Sequence, residues 1–354
     1  MLALTIVAFL LILGLLMLVH EGGHFVAAKL SGIKVEEFAF GFGPRLFSRR
    51  RGETLYSLNL FFPLGAFVKL SGEEDPSEPR SFANKGPAVR FMVLFAGPLM
   101  SAILPIVLLT IAFMVPRGVA IEDVVIEDVV QDSPAAMAGI ESGDYIVSVN
   151  GHQVQSRVDV TYYVYLSLGE KTTILLKKVD GTEKLATLVP RLAPPEGQGP
   201  LGIEFYEEPI NLHIVSQSYS ILEAVPKSVS TLGEAFGLII SQMRSWSAGG
   251  SAPSVGGPVA IFQLTGDANE AGPSYLIQFA AMLSFSLAII NILPLPALDG
   301  GRIVFVLLEV VRRGKRVSPR TEGLVHLVGF AMLIGLILVI SYYDILRVIR
   351  GGSL

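Results

Sequence analysis

Four long apolar runs divide the chain, separated by stretches of mixed composition. The first starts at the N-terminus. From Leu2 to Val19 it holds no charged residue, about enough to cross most of a bilayer core as a helix, and a span over roughly residues 2–30 is predicted. Further spans are predicted over about 89–115, with kinks at Gly97-Pro98 and Pro105, over about 275–298, and over about 324–343. Between the first two, Glu53 to Ser71 carries two β-rich apolar runs around Pro63-Leu64-Gly65, a turn signal. This predicts a hairpin too apolar for water. It either packs beneath the spans or re-enters the membrane with a free edge for an added extended strand.

From Gly118 to about Glu207 the pattern changes to short alternating runs, VVIEDVV, YIVSVNG and KTTILLKKV. Asp132-Ser133-Pro134 starts a short helix that Gly139 ends, Asn150-Gly151 turns the chain, and Arg157 to Leu168 reads as helix. One small α+β domain of about 85 residues is predicted there. Ile221 to Trp246 is weakly amphipathic and carries Glu223, Lys227, Glu234 and Arg244. It is predicted to lie on a membrane surface rather than to span. Ser251 to Ile261 is a Gly/Pro-rich loop to which the sequence assigns no role.

Composition fixes the class. Of 354 residues, 51% are apolar and only 16% charged, and the mean hydropathy is positive. These describe a polytopic membrane protein, and with the pattern above the expected fold is four transmembrane α-helices, a β-hairpin expected as re-entrant against the packing alternative, and one inserted α+β domain. The expected organisation is a first membrane half (1–117), the inserted domain (118–207), a linker with the surface helix and the Gly/Pro loop (208–274), and a second membrane half (275–354). A net charge of −4 without a long basic run excludes nucleic acid as a partner. Cysteine is absent, so there is no disulfide framework and no thiolate metal site.

Charge also sets orientation. Lys29, Lys34, Arg45, Arg49-Arg50-Arg51, Lys69, Arg80, Lys85 and Arg90 crowd the first connection, and Arg302, Arg312, Arg313, Lys315, Arg316 and Arg320 the last. Both are therefore expected in the cytoplasm, with the termini and the inserted domain outside. The N-terminal run lacks a basic leader and a small-residue cleavage site, so it reads as a retained span rather than a signal peptide.

The candidate chemistry sits at the end of span one, in His20-Glu21-Gly22-Gly23-His24. Ionisable groups at membrane depth are costly and default to a functional reading. In H-E-x-x-H the two histidines share one helix face and can reach one metal ion. The glutamate is offset, placed to hold a metal-bound water as general base. The third ligand must come from the remaining histidines, His152, His213 and His326, or from a carboxylate. Asp299 closes span three at the same membrane side, after Pro294 and Pro296 break the helix. His326 begins span four at similar depth. Irregular backbone at membrane depth implies a lined site, which favours Asp299. Asn291, inside span three, either links helices or binds substrate backbone. A non-enzymatic scaffold presenting the inserted domain and a metal transporter using the histidines are the rival classes.

HEGGH on span one, NILPLPALDGG on span three, GFGP at Gly41 to Pro44 and SVGGP at Ser254 to Pro258 together resemble the site-2 protease family, peptidase M50, in its bacterial sigma-E-regulator branch. The segment DSPAAMAGIESGDYIVSVNGHQV resembles a circularly permuted bacterial PDZ domain. The resemblance implies a zinc metalloendopeptidase acting within a bacterial inner membrane on single-span membrane proteins. It implies zinc on His20, His24 and Asp299, Glu21 as catalytic base, Asn291 in contact with substrate and no ligand role for His326. Membrane lipid, and a peptide or regulator at the PDZ-like domain, are the other implied partners. One departure is visible: the best-studied members carry tandem PDZ domains, and this chain has room for one.

Overall fold

The computed structural model describes residues 2–73, 77–78, 80–252 and 256–350, the side chains of residues 63 and 64 excepted. It divides into two compact units, one formed by Met1–Phe113 with Val255–Leu354 and the other by Met114–Ser254.

In the first unit, helix α1 (Leu2–Leu30) runs the length of the first apolar stretch. It is followed by β1 (Val35–Arg51) and β2 (Thr54–Leu70), then by helix α2 (Pro87–Met114). β1 fell in a stretch read for its positive charge and its GFGP motif but not as a strand. It also changes the expected hairpin, because the two runs of β2 do not pair with each other. The first half of β1 lies between them. Val35 to Phe40 pairs with Leu70 to Ala66, and Glu37 to Phe40 also pairs with Leu55 to Leu58, in a register where both numbers rise together. The second half of β1 closes back from Arg45–Asn59 to Arg51–Thr54. A buried side-chain network fixes this arrangement. Ser57 Oγ donates to Glu37 at 2.6 Å, Arg45 donates twice to the same carboxylate, and Thr54 Oγ1 donates to the Val35 carbonyl. At the turn between the strands, Arg80 and Lys29 hold the Glu53 carboxyl well below its usual range, at about 2.

The second unit carries β3 (Arg117–Asp123), β4 (Ile126–Val129), α3 (Pro134–Met137), β5 (Tyr145–Val149), β6 (His152–Gln153), α4 (Arg157–Leu166), β7 (Thr172–Lys177), β8 (Glu183–Leu188), β9 (Ile203–Phe205), β10 (Ile210–Gln217) and α5 (Ile221–Ser247). A four-stranded sheet in the order β6-β5-β7-β8 is accompanied by the pairs β4-β9 and β3-β10. Ile126, Val149, Val160, Ile174 and Leu176 are fully enclosed in its core. Ser133 caps α3 as its position before Pro134 predicts, and Ser156 with Asp159 makes a reciprocal cap for α4. α5 is bound to α4 by Tyr162 Oη donating to Glu234 and Ser241 Oγ donating to the Tyr165 carbonyl. It leaves Leu222, Val229, Phe236 and Met243 exposed.

The chain returns to the first unit through α6 (Pro258–Ala271), α7 (Pro273–Ile292), α8 (Asp299–Val311) and α9 (Pro319–Ile349). Helices α1, α2, α7 and α9 are long and apolar enough to cross a membrane. The expected third span stops at Ile292, and the residues after the proline break form a separate helix, α8. Ile12, Leu16 and Ala280 centre the packing of α1, α2 and α7. Leu94, Ile303 and Val306 seat α8 on α2, where Arg90 and Glu309 make a buried ion pair.

Pro253, Ser254 and Val255 of the Gly/Pro loop lie outside the described residues. Beyond them, Gly257 leads directly into α6. Asp344 on α9, 3% exposed, accepts hydrogen bonds from the Gly257 and Ala260 amides at 2.9 and 3.3 Å, and so caps α6 from another helix. Asp344→Ala is expected to lower unfolding stability by about 1–2 kcal/mol, read as a reduced thermal midpoint in detergent. An unchanged midpoint would show that the cap contributes nothing.

Candidate metal centre

His20 and His24 lie one turn apart on α1, 6% and 9% exposed. Their rings stand nearly perpendicular with centroids 5.0 Å apart. Each is oriented by α2. His20 Nδ1 is hydrogen-bonded to Ser101 Oγ at 3.0 Å, and His24 Nδ1 to the Val93 carbonyl at 2.8 Å. Pro98 lies within α2 and brings no N–H to the helix, so the Leu94 carbonyl, next to Val93, has no i+4 donor. With both Nδ1 atoms engaged, both Nε2 atoms turn to the same place. Asp299 Oδ2 is there, 3.0 Å from His20 Nε2 and 3.4 Å from His24 Nε2.

Local sequence explains how Asp299 arrives. Pro294 and Pro296 prevent α7 from continuing, and Ala297 takes a left-handed conformation (φ 76°) before α8 starts at Asp299. The carboxylate thus stands in the first turn of a helix, favoured by the helix dipole. The fold-back is tight: a Cβ on Gly300 would lie 2.1 Å from the Leu293 carbonyl oxygen.

The two glycines of HEGGH divide two tasks. A Cβ on Gly23 would lie 2.3 Å from the Ala96 carbonyl oxygen, so Gly23 is where α1 and α2 approach, whereas Gly22 has nothing within 4 Å and faces open space. On α2, a Cβ on Gly97 would lie 2.2 Å from His24 Nε2. Glu21, between the histidines, accepts a hydrogen bond from the Val68 amide of β2 at 3.1 Å.

Of the residues singled out by sequence, His20, His24 and Asp299 come together, their donor atoms within 4.8 Å of one another, and Glu21 adjoins them in the chain. His326 does not join this group. Its Nδ1 accepts from the Ala297 amide at 2.8 Å. Asn291 is half-buried in the last turn of α7, and its side chain has no hydrogen-bond partner among the described residues. Ser101 and Val93 were missed by sequence reading, which treated α2 only as a span without ligands. The Gly97-Pro98 kink was the available signal that α2 approaches something closely.

Two imidazoles and a carboxylate are a donor set suited to zinc. The spacing agrees as well: donors about 2.0–2.1 Å from a tetrahedral ion lie about 3.4 Å from one another, and the two distances to Asp299 are 3.0 and 3.4 Å.

Comparison with known proteins bears on the same residues. A family model described as "Peptidase family M50" matches residues 8–336. A Clostridium acetobutylicum relative with a provisional zinc metalloprotease name is 38% identical over 344 residues, covering 96% of this chain and 97% of its own. "Zinc metalloprotease RasP" of Shouchella clausii is 30% identical over 426 aligned positions, covering 96% and 98%. That alignment is longer than the 354 residues of this chain, so the relative carries residues that this chain lacks. A solved PDZ domain of an SdrC-like protein from Listeria monocytogenes is 22% identical, covering 24% of this chain and 90% of its own, with a TM-score of 0.22. The match across nine-tenths of the sequence, carried through HEGGH and the proline-broken turn at Asp299, establishes that this chain belongs to peptidase family M50 and is a metalloendopeptidase of the site-2 protease type.

Proposed function

We propose that this metalloprotease hydrolyses peptide bonds within or near the transmembrane segment of single-span membrane proteins, with zinc held by His20, His24 and Asp299 and Glu21 as its base. The observation that carries this reading is the convergence of both imidazoles on one Asp299 oxygen, at the end of an apolar helix. Zinc bound there would lower the pKa of a coordinated water and stabilise the negative charge that develops on the substrate carbonyl oxygen. Glu21 takes the proton of the attacking water and returns it to the leaving amine. The two non-enzymatic rivals, scaffold and transporter, do not explain membership of a peptidase family.

A peptide bond inside a helix is shielded by its own hydrogen bonds, so the substrate must unwind locally before it is cut. β2 supports a way of holding the unwound segment. Residues 66–70 pair with β1 on one side, and the Val68 amide turns the other way, toward Glu21. An extended substrate strand added on that side would lie beside the base. Gly22 leaves the space it needs, and Asn291 is proposed to hold substrate backbone. The basic connections support a site near the cytoplasmic face of a bacterial inner membrane, with the PDZ-like domain and both termini outside. The PDZ-like domain receives a peptide or regulator there, and α5 lies on the outer surface.

The test is cleavage of a single-span protein by the purified enzyme in lipid vesicles, with a soluble peptide of the same sequence as control. Cleavage mapped only to residues well outside the hydrophobic segment would overturn the intramembrane assignment. A separate expectation concerns α2. Gly97→Ala should displace the His24 ring and lower bound zinc by at least about tenfold, measured by metal analysis of the purified variant. Full zinc content would mean that the helices separate freely at this point.

A further inference from the structure

We infer that His326 is a positioning residue for Asp299: it holds the turn that presents the carboxylate, without being a ligand itself. This rests on the proposed role of Asp299 at the metal.

Within the turn Leu293 to Leu298, the Leu295 amide donates to the Leu293 carbonyl at 2.7 Å and the Leu298 amide to the Leu295 carbonyl at 3.3 Å, and neither bond engages Ala297. The turn lies between two helices and contains two prolines, and Ala297 stands at φ 76°. That left-handed conformation is unfavourable for a residue with a Cβ, so it persists only where surroundings impose it. α9 supplies those surroundings. His326 Nδ1 accepts the Ala297 amide proton at 2.8 Å, two residues before Asp299. One turn further along α9, a Cβ on Gly329 would lie 2.2 Å from Pro296 Cβ. The helix therefore meets the turn with a hydrogen bond at one position and a bare backbone at the next, and the turn is seated against both.

The bond also fixes the ring. Because Nδ1 accepts, the proton of the neutral imidazole is on Nε2. That atom is buried and has no hydrogen-bond partner among the described residues. Phe305 of α8 lies alongside, with ring centroids 5.6 Å apart, so the same side chain touches the turn before Asp299 and the helix after it. A histidine kept here at the expense of one unsatisfied nitrogen is explained by the bond that its other nitrogen makes.

His326→Phe keeps the ring and removes the acceptor. Zinc affinity of the full-length protein in detergent, measured by competition with a metallochromic chelator, is expected to fall about tenfold, the scale of losses when outer partners of ligands are removed. Ala297→Gly removes the penalty of the left-handed conformation and is expected to stay within about twofold of the parent. Placed in the His326→Phe background, it is expected to restore at least half of the logarithmic loss, a rescue that general destabilisation would not give. An affinity of His326→Phe within twofold of the parent overturns the inference, and so does an absence of rescue by Ala297→Gly. Asp299→Ala in the same assay separates the two readings. If it retains zinc, the ligand assignment itself fails. If it loses zinc while His326→Phe does not, only the positioning role fails.

Discussion

Glu21→Gln is expected to leave zinc in place and to reduce peptide-bond cleavage by about 100- to 10,000-fold, the range for loss of a positioned general base. The substitution is nearly isosteric. An amide in place of the carboxylate can still accept from the Val68 amide, so the geometry between α1 and β2 is preserved. What it removes is the capacity to take a proton from water. Zinc content near that of the parent, with cleavage lost, would isolate this step. Retained turnover would remove the base assignment altogether. The same variant in cells should accumulate uncut single-span fragments in the membrane, and comparison of membrane proteomes would then name the physiological substrate.

Asp299→Ala should have the larger effect on the metal, with zinc content falling from about one ion per chain to near zero. Asp299 Oδ2 is the single point at which both imidazoles converge. Without it, two nitrogens remain to hold a divalent cation in a buried setting, and neither brings a charge to offset it. His326→Ala should lower affinity without abolishing binding, since that ring reaches the metal ligands only through the turn. The reverse order, with complete zinc loss in His326→Ala and retention in Asp299→Ala, would mean that the third ligand has been misassigned.

The centre was legible in the sequence because each of its parts broke a local rule. Charged side chains closing an apolar run, and a helix interrupted by two prolines at similar depth, are exceptions that require a cause. The missed elements followed ordinary rules but were masked by charge. β1 reads as a basic loop because of Arg45 and Arg49 to Arg51, although Glu37 is buried and pairs with the exposed Arg45 of the same strand. α8 reads as an unstructured connection because of Arg302, Arg312 and Arg313, yet it is a packed helix whose Glu309 pairs with Arg90 of α2. Ion pairs between residues as far apart as 90 and 309 cannot be seen in a window of neighbours, and they turn an apparently solvated segment into a packed one. α6 was hidden in another way: its stabilising cap, Asp344, lies on a different helix and far along the chain. Nor does sequence indicate that an apolar kinked helix without ligands would orient both metal-facing rings.

The first unit is assembled from the two ends of the chain, with residues 114–254 lying between them in sequence. The imidazole pair and its supporting serine leave the ribosome early, and the carboxylate follows roughly 275 residues after His24. At translation rates of about 5–20 residues per second, that gap lasts roughly 14–55 s. During this interval the nascent polypeptide carries two of the three proposed metal donors. If these three residues are the zinc ligands, a product truncated before residue 299 is expected to lack peptidase activity.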